Sequence, residues 1–179
     1  MNAKISEKVK FYKEFNELAV KGEIAVFGST YSAEFPFYEL IQGRADYAVY
    51  NRSIEDLSIA EAVDVAEDCL KELHPQKLFL CFGDEEANKN ISADKVYADY
   101  IALVKKCKAM FNGSKIYLLP VMRAGAENIN SAVRKVAEAE GVRFVTVAPE
   151  RTYRDIFNRL NTFFRNNAPG FSEAFGVYK

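Results

Sequence analysis

Residues 77–86 read Lys77-Leu78-Phe79-Leu80-Cys81-Phe82-Gly83-Asp84-Glu85-Glu86. Five apolar side chains follow one another, then a glycine, then three acids. A strand with one wet face alternates apolar and polar residues. An unbroken apolar run this short points instead to a strand buried on both faces, the kind found in parallel sheets. Four more segments read the same way: Glu23–Phe27, Asp46–Tyr50, Lys115–Leu119 and Val142–Val147.

The stretches between them carry helical spacing. In Ser58–Leu73, Ile59, Ala62, Val63, Ala66 and Leu70 recur at helical intervals, and Ser58 with Glu61 forms a capping-box pattern. In Ser92–Phe111, Tyr97, Tyr100, Ile101, Val104, Cys107 and Phe111 make one stripe. Ile129, Val133, Val136 and Ala137 do so before Gly141, a C′ residue. A first helix is expected from Ser6 to about Val20 and a last one from about Thr152 to Asn166. A helix followed by five β-α units implies right-handed crossovers and a three-layer α/β/α sandwich, flavodoxin-like, with five parallel strands. The 179 residues suit one domain, with residues 1–22 as its N-terminal helix and 167–179 as an irregular tail.

Lys and Arg total 24 against 25 Asp and Glu, so no cationic excess exists to neutralise a phosphate backbone, and a nucleic-acid partner is not expected. No apolar run reaches the roughly 20 residues of a membrane span. The start, Met1–Lys10, lacks the apolar core of a secretory signal, so an intracellular, cytoplasmic protein is expected. Cys69, Cys81 and Cys107 are odd in number and far apart, which reads as reduced core thiols. With them, the single His74 makes a His- or thiolate-bound metal site untenable. One glycine in the first turn, Gly28, does not make a phosphate loop. No cofactor is expected.

Ligands of open parallel sheets bind beyond the carboxyl ends of the strands. There the sequence places Gly28-Ser29-Thr30, Asn51-Arg52-Ser53, Gly83-Asp84-Glu85-Glu86 with Asn88, Met122-Arg123, and Glu150-Arg151. Ser29 and Thr30 are either nucleophiles or helix caps. The acids are either a solvated loop or cation ligands. Arg52 and Arg123 either hold an anionic ligand or pair with those acids.

In order and spacing, residues 23–150 resemble the SGNH (GDSL-type) hydrolase superfamily. That family ends its first strand in Gly-Asp-Ser, where this chain has Gly28-Ser29-Thr30. A short helix follows there, as Phe35–Leu40 suggests here. The family's Asn-Arg-Gly-Ile is Asn51-Arg52-Ser53-Ile54, and its Gly-x-Asn-Asp is Gly83-Asp84-Glu85-Glu86. Tyr97, Leu103, Pro120 and Asn128-Ile129-Asn130 extend the likeness. The resemblance implies that Thr30 stands for the nucleophilic serine, and that Ser53 and Glu85 stand for the glycine and asparagine of the oxyanion hole.

The departures fall on those positions. The resemblance implies a carboxylate, Glu85, where an oxyanion donor is needed, and losing one such donor costs about 3–4 kcal/mol before repulsion is counted. The family's Asp-x-x-His pair has no counterpart. Its nearest spacing match, Asp155-Ile156-Phe157-Asn158, offers an amide that cannot take a proton. His74 falls between the second and third strands, at the opposite end of the sheet.

The leading expectation is therefore a hydrolase-like domain that binds a ligand, an acyl or sugar group, in a crevice formed by Gly28, Asn51, Arg52, Ser53, Gly83, Glu85 and Arg123. The alternative is a divergent esterase, with Ser29 or Thr30 attacking and Asp84 or Glu86 activating. The aromatics are mostly core by helical and strand spacing, and the terminal Phe157, Phe163, Phe164, Phe171 and Phe175 are either core or a surface for a protein partner or a second copy.

Overall fold

The computed structural model describes residues 2–42, 47–147 and 152–165. Its elements are α1 (Ala3–Leu18), β1 (Ile24–Gly28), α2 (Thr30–Glu34), α3 (Phe37–Ile41), β2 (Val49–Asn51), α4 (Ile59–Leu70), β3 (Lys77–Cys81), α5 (Asp84–Asn88), α6 (Ala93–Met110), β4 (Lys115–Leu118), α7 (Glu127–Glu140), β5 (Arg143–Phe144) and α8 (Tyr153–Arg165). The sheet order is β2-β1-β3-β4-β5 and every pairing is parallel. Ser29 N–H continues the β1–β3 ladder to the Cys81 carbonyl at 3.0 Å.

The unbroken apolarity of the strands follows from two cores. Ala25 and Phe27 of β1 and Leu78 and Leu80 of β3 face the layer of α1, α4, α6 and α7. Ile24, Val26, Phe79 and Cys81 face the other way, onto α3 and α8. Among the described residues no helix is long and apolar enough to cross a membrane.

Most boundaries shift for local reasons. Helix α1 starts before Ser6 because Asn2 caps it, its Oδ1 accepting from Lys4 N–H at 2.7 Å. The Ser58–Glu61 capping box forms as expected, and Gly141 closes α7 in the left-handed region at φ 62°. The second strand runs Val49–Asn51, later than its apolar segment, and Asp46 lies outside the described residues. The fifth strand is only two residues long, and beyond it Val145 N–H still bonds the Leu118 carbonyl at 2.9 Å. The acidic stretch after β3, read from sequence as a loop, is the helical turn α5.

Two positions tie distant parts together. His74 is exposed and left-handed (φ 43°) where the turn after α4 ends. It sits beside Gln76, whose N–H bonds the Glu23 carbonyl at the start of β1. The histidine therefore lies at the opposite end of the sheet from Gly28. Lys77 is fully buried, and its Nζ donates to the carbonyls of Phe163 and, at 2.9 Å, Phe164 in the last turn of α8. A cation suits a helix C-terminus.

The structure decides between the two readings of three terminal aromatics. Phe157, Phe163 and Phe164 are core residues of the second layer, not a partner surface, because the strongly amphipathic α8 lays them against the sheet. Phe171 and Phe175, like Glu150 and Arg151 and the whole tail, lie outside the described residues. The three cysteines are buried and unbridged, and burial pushes the thiols of Cys69 and Cys107 up to about 12.

Candidate functional site

Strand order places the switch point between β1 and β3: the chain leaves β1 for β2 on one side and returns as β3 on the other. Gly28 is there because nothing larger fits. A Cβ on it would stand 2.3 Å from the Cys81 carbonyl oxygen and 2.2 Å from Ser32 Oγ. Gly83, at φ 123°, lets the chain turn from β3 into α5 against Val121 and Ile129.

The hydroxyls separate. Ser29 is fully buried; its side chain makes no capping bond and its Oγ has no hydrogen-bond partner among the described residues. It faces neither a base nor the crevice. Thr30, the first residue of α2, is half-buried at the mouth. Its Oγ1 accepts the Asp56 N–H at 3.0 Å and donates to Glu85 Oε1 at 3.2 Å.

The acids are neither a solvated loop nor a cation cage. Asp84, Glu85 and Glu86 are all buried on α5, and each reaches a different element. Asp84 Oδ2 accepts from Tyr31 N–H at 2.9 Å, in the first turn of α2. Glu86 Oε1 accepts from Ile59 N–H at 2.8 Å, the first residue of α4, while its Oε2 has no partner. Glu85 holds Thr30, with Lys89 Nζ 3.9 Å from its other oxygen. Burial raises the Asp84 and Glu86 carboxyls above the usual range, and the backbone N–H bonds oppose the shift. Among the described residues no cluster of His, Cys, Asp or Glu could hold a metal ion.

The second loop turns inward. Asn51 Nδ2 donates to the Ser32 carbonyl at 2.7 Å, and its Oδ1 accepts the Ser53 N–H at 3.1 Å. Ser53 Oγ is buried without a partner, and the Ser53 carbonyl accepts from Tyr12 OH at 2.7 Å. Arg52 meets neither a ligand site nor the acids. Its Nε donates to Asn16 Oδ1 at 2.7 Å, and its guanidinium lies 5.1 Å and 5.3 Å from the rings of Tyr12 and Tyr50. Burial without a facing carboxylate lowers its pKa. The aromatic walls and the amide of α1 replace the ion pair that the sequence suggested.

Arg123 stays at the crevice, hydrogen-bonded to the Asn88 Oδ1 at the end of α5. With Thr30, Tyr31, Glu34 and Asp84 it lines an open cleft of about 200 Å³. Glu34 and the Asp56 amide carry no sequence signal, because their neighbours come from other elements. Thr152 caps α8, its Oγ1 accepting from Asp155 N–H at 3.2 Å and donating to Asp155 Oδ2 at 2.8 Å.

No protein-family model matches the sequence, and no curated protein does. Solved structures match at the level of the fold. A Streptococcus pneumonia protein provisionally named a platelet activating factor superposes with a TM-score of 0.71 at 14% identity, covering 90% of this chain and 92% of that one. A GDSL-like lipase from Bacteroides thetaiotaomicron gives 0.63 at 13%, covering 76% of each chain. A psychrotrophic esterase from Pseudoalteromonas sp. gives 0.62 at 15%, covering 80% and 98%. The fold is that of the SGNH hydrolases. In this chain, Thr30 and Glu85 face each other at the end of the paired strands β1 and β3, and His74 lies at the other end of the sheet.

Proposed function

We propose that the chain uses its SGNH-type scaffold to bind a ligand or partner and does not hydrolyse esters. The contact between Thr30 Oγ1 and Glu85 Oε1 carries this reading. Ester cleavage needs a base for the nucleophile and N–H donors for the oxygen that becomes negative. Here a carboxylate occupies the ground beside the hydroxyl and repels such an oxygen. The Ser53 N–H, which the resemblance assigns as a donor, is already bonded to Asn51. The only imidazole is at the far end of the sheet.

Purified protein with p-nitrophenyl acetate and butyrate tests this. The expected rate equals the buffer rate and is the same in Thr30→Ala and Ser29→Ala. Turnover lost on Thr30→Ala overturns the proposal.

The same contact supports a second reading, in which Glu85 takes the Thr30 proton and Thr30 attacks an ester. Turnover lost in both Thr30→Ala and Glu85→Gln, and kept in Ser29→Ala, is its signature.

A further inference from the structure

A concavity larger than the cleft over Thr30 lies beside it. It is a groove of about 960 Å³ between the start of α6 and the outer face of α7, which meets that cleft at Arg123. Its size falls at the upper end for small-molecule sites, about 300–1,000 Å³.

Two ladders of side chains face into it. Asn128, Ser131 and Lys135 recur along α7, covering about 10 Å at 1.5 Å per residue. Asp94 and Tyr97 recur along α6. None of these five makes a side-chain hydrogen bond or ion pair among the described residues, whereas in the crevice Thr30 is bonded to Glu85, and Asp84 and Asn51 to backbone groups. The floor is small and apolar, with Ala93 and Ala132, and holds no long aliphatic channel for an acyl chain.

Charge decides the sign of the ligand. Arg123 and Lys135 face one carboxylate, Asp94, in a chain whose net charge is −1. Helices α6 and α7 both begin at this groove, and the acids of their first turns, Asp94 and Glu127, offset their positive ends, which leaves the two cationic side chains to set the sign. Ala126, at the N-cap of α7, has no side chain to cap it. The hydroxyls and amide of Ser131, Tyr97 and Asn128, with the Asp94 acceptor, suit a body rich in hydroxyls, and the half-buried Tyr97 ring offers a stacking face.

We infer that this groove binds an acidic saccharide about two rings long, its carboxylates on Arg123 and Lys135 and its hydroxyls between Asp94, Tyr97, Asn128 and Ser131. The inference rests on reading the chain as a binding module, and it gives that module a place and a ligand class.

Titration calorimetry of the full chain with digalacturonate tests it, with cellobiose, inorganic phosphate and butyrate as parallel arms at equal ionic strength. Saturable binding of digalacturonate alone is expected. Lys135→Ala and Arg123→Ala each weaken it about tenfold, since each removes a charge-assisted contact. Tyr97→Ala weakens it too. The substituted positions lie on the groove surface, and matching thermal unfolding confirms the fold, with Lys135→Gln as the milder variant. No saturable binding, equal affinity for cellobiose or phosphate, or full affinity in the Arg123→Ala/Lys135→Ala chain overturns it. The two readings fail separately: ester turnover that depends on Thr30 sinks the inert crevice and leaves the groove, while an empty titration sinks only the groove.

Discussion

Thr30 and Glu85 share a hydrogen bond across the switch point, Oγ1 to Oε1 at 3.2 Å, joining the start of α2 to α5. The same oxygen takes the Asp56 N–H at 3.0 Å, so one hydroxyl ties together the segments that follow β1, β2 and β3.

Removing that hydroxyl loosens three loops at once. Thr30→Ala is expected to cost about 1–2 kcal/mol of stability, for two bonds that are only partly buried. Thr30→Ser keeps the oxygen and stays within about 0.5 kcal/mol of the native chain. Urea unfolding midpoints check both.

The glycines at the strand ends separate steric demand from backbone freedom. Gly28→Ala drives a methyl into the Cys81 carbonyl and is expected to cost at least about 3 kcal/mol or to abolish folding. Gly83→Ala is comparable, since φ 123° and the Val121 Cγ2 at 2.5 Å both oppose it. Gly22→Ala, at φ 79° with open space around it, costs only about 1 kcal/mol. Soluble yield and urea titration distinguish the cases.

Asp84 and Glu86 give stability a defined pH dependence. Their folded carboxyls bind protons more tightly than unfolded ones. The native state therefore carries the extra protons, and stability falls as pH rises from the ordinary carboxylate range through the raised values. Asp84→Asn keeps an oxygen for the Tyr31 N–H and removes the charge. Its stability relative to the native chain is expected to improve with rising pH and to show no gain at acid pH. Unfolding free energies from pH 4 to 8 measure the slope; an Asp84→Asn advantage that is flat with pH contradicts the account.

Arg52 is bound by shape as much as by charge. Arg52→Ala is expected to cost about 3 kcal/mol, through the lost Asn16 bond and the two ring contacts. Arg52→Lys does not rescue it, because an ammonium cannot lie flat between Tyr12 and Tyr50. Thermal unfolding of the two variants provides the check.

The sheet was legible because its evidence is local. The apolar runs of β1, β3 and β4 report burial on both faces, the edge strands β2 and β5 being only partly covered, and Ser58 with Glu61 marks a helix start within four residues. The crevice was legible only as a set of positions. Glu85 meets Thr30 across 55 residues and Arg52 meets Asn16 across 36, and nothing in either short stretch encodes the partner. The acids read as a wet loop because such residues are mostly exposed. They are buried because the free N–H groups at the starts of α2 and α4 receive two of them, and only the folded sheet brings those ends together. The aromatics of α8 looked like surplus at the end of the chain, and the face they cover belongs to strands made far earlier.

Lys77 gives that distance a consequence for biosynthesis. Its ammonium lies between the sheet and α8, and the carbonyls of Phe163 and Phe164 that receive it are 86 and 87 residues further on. While the ribosome is still extending the chain, the central strand carries a positive charge that a dry interior tolerates poorly. Locking of β3 into its final surroundings thus waits for the last helix to emerge. A nascent or clipped chain that stops short of Phe163 leaves that face of the sheet uncovered, so its Lys77 ammonium stays in water until the two carbonyls of α8 arrive to receive it.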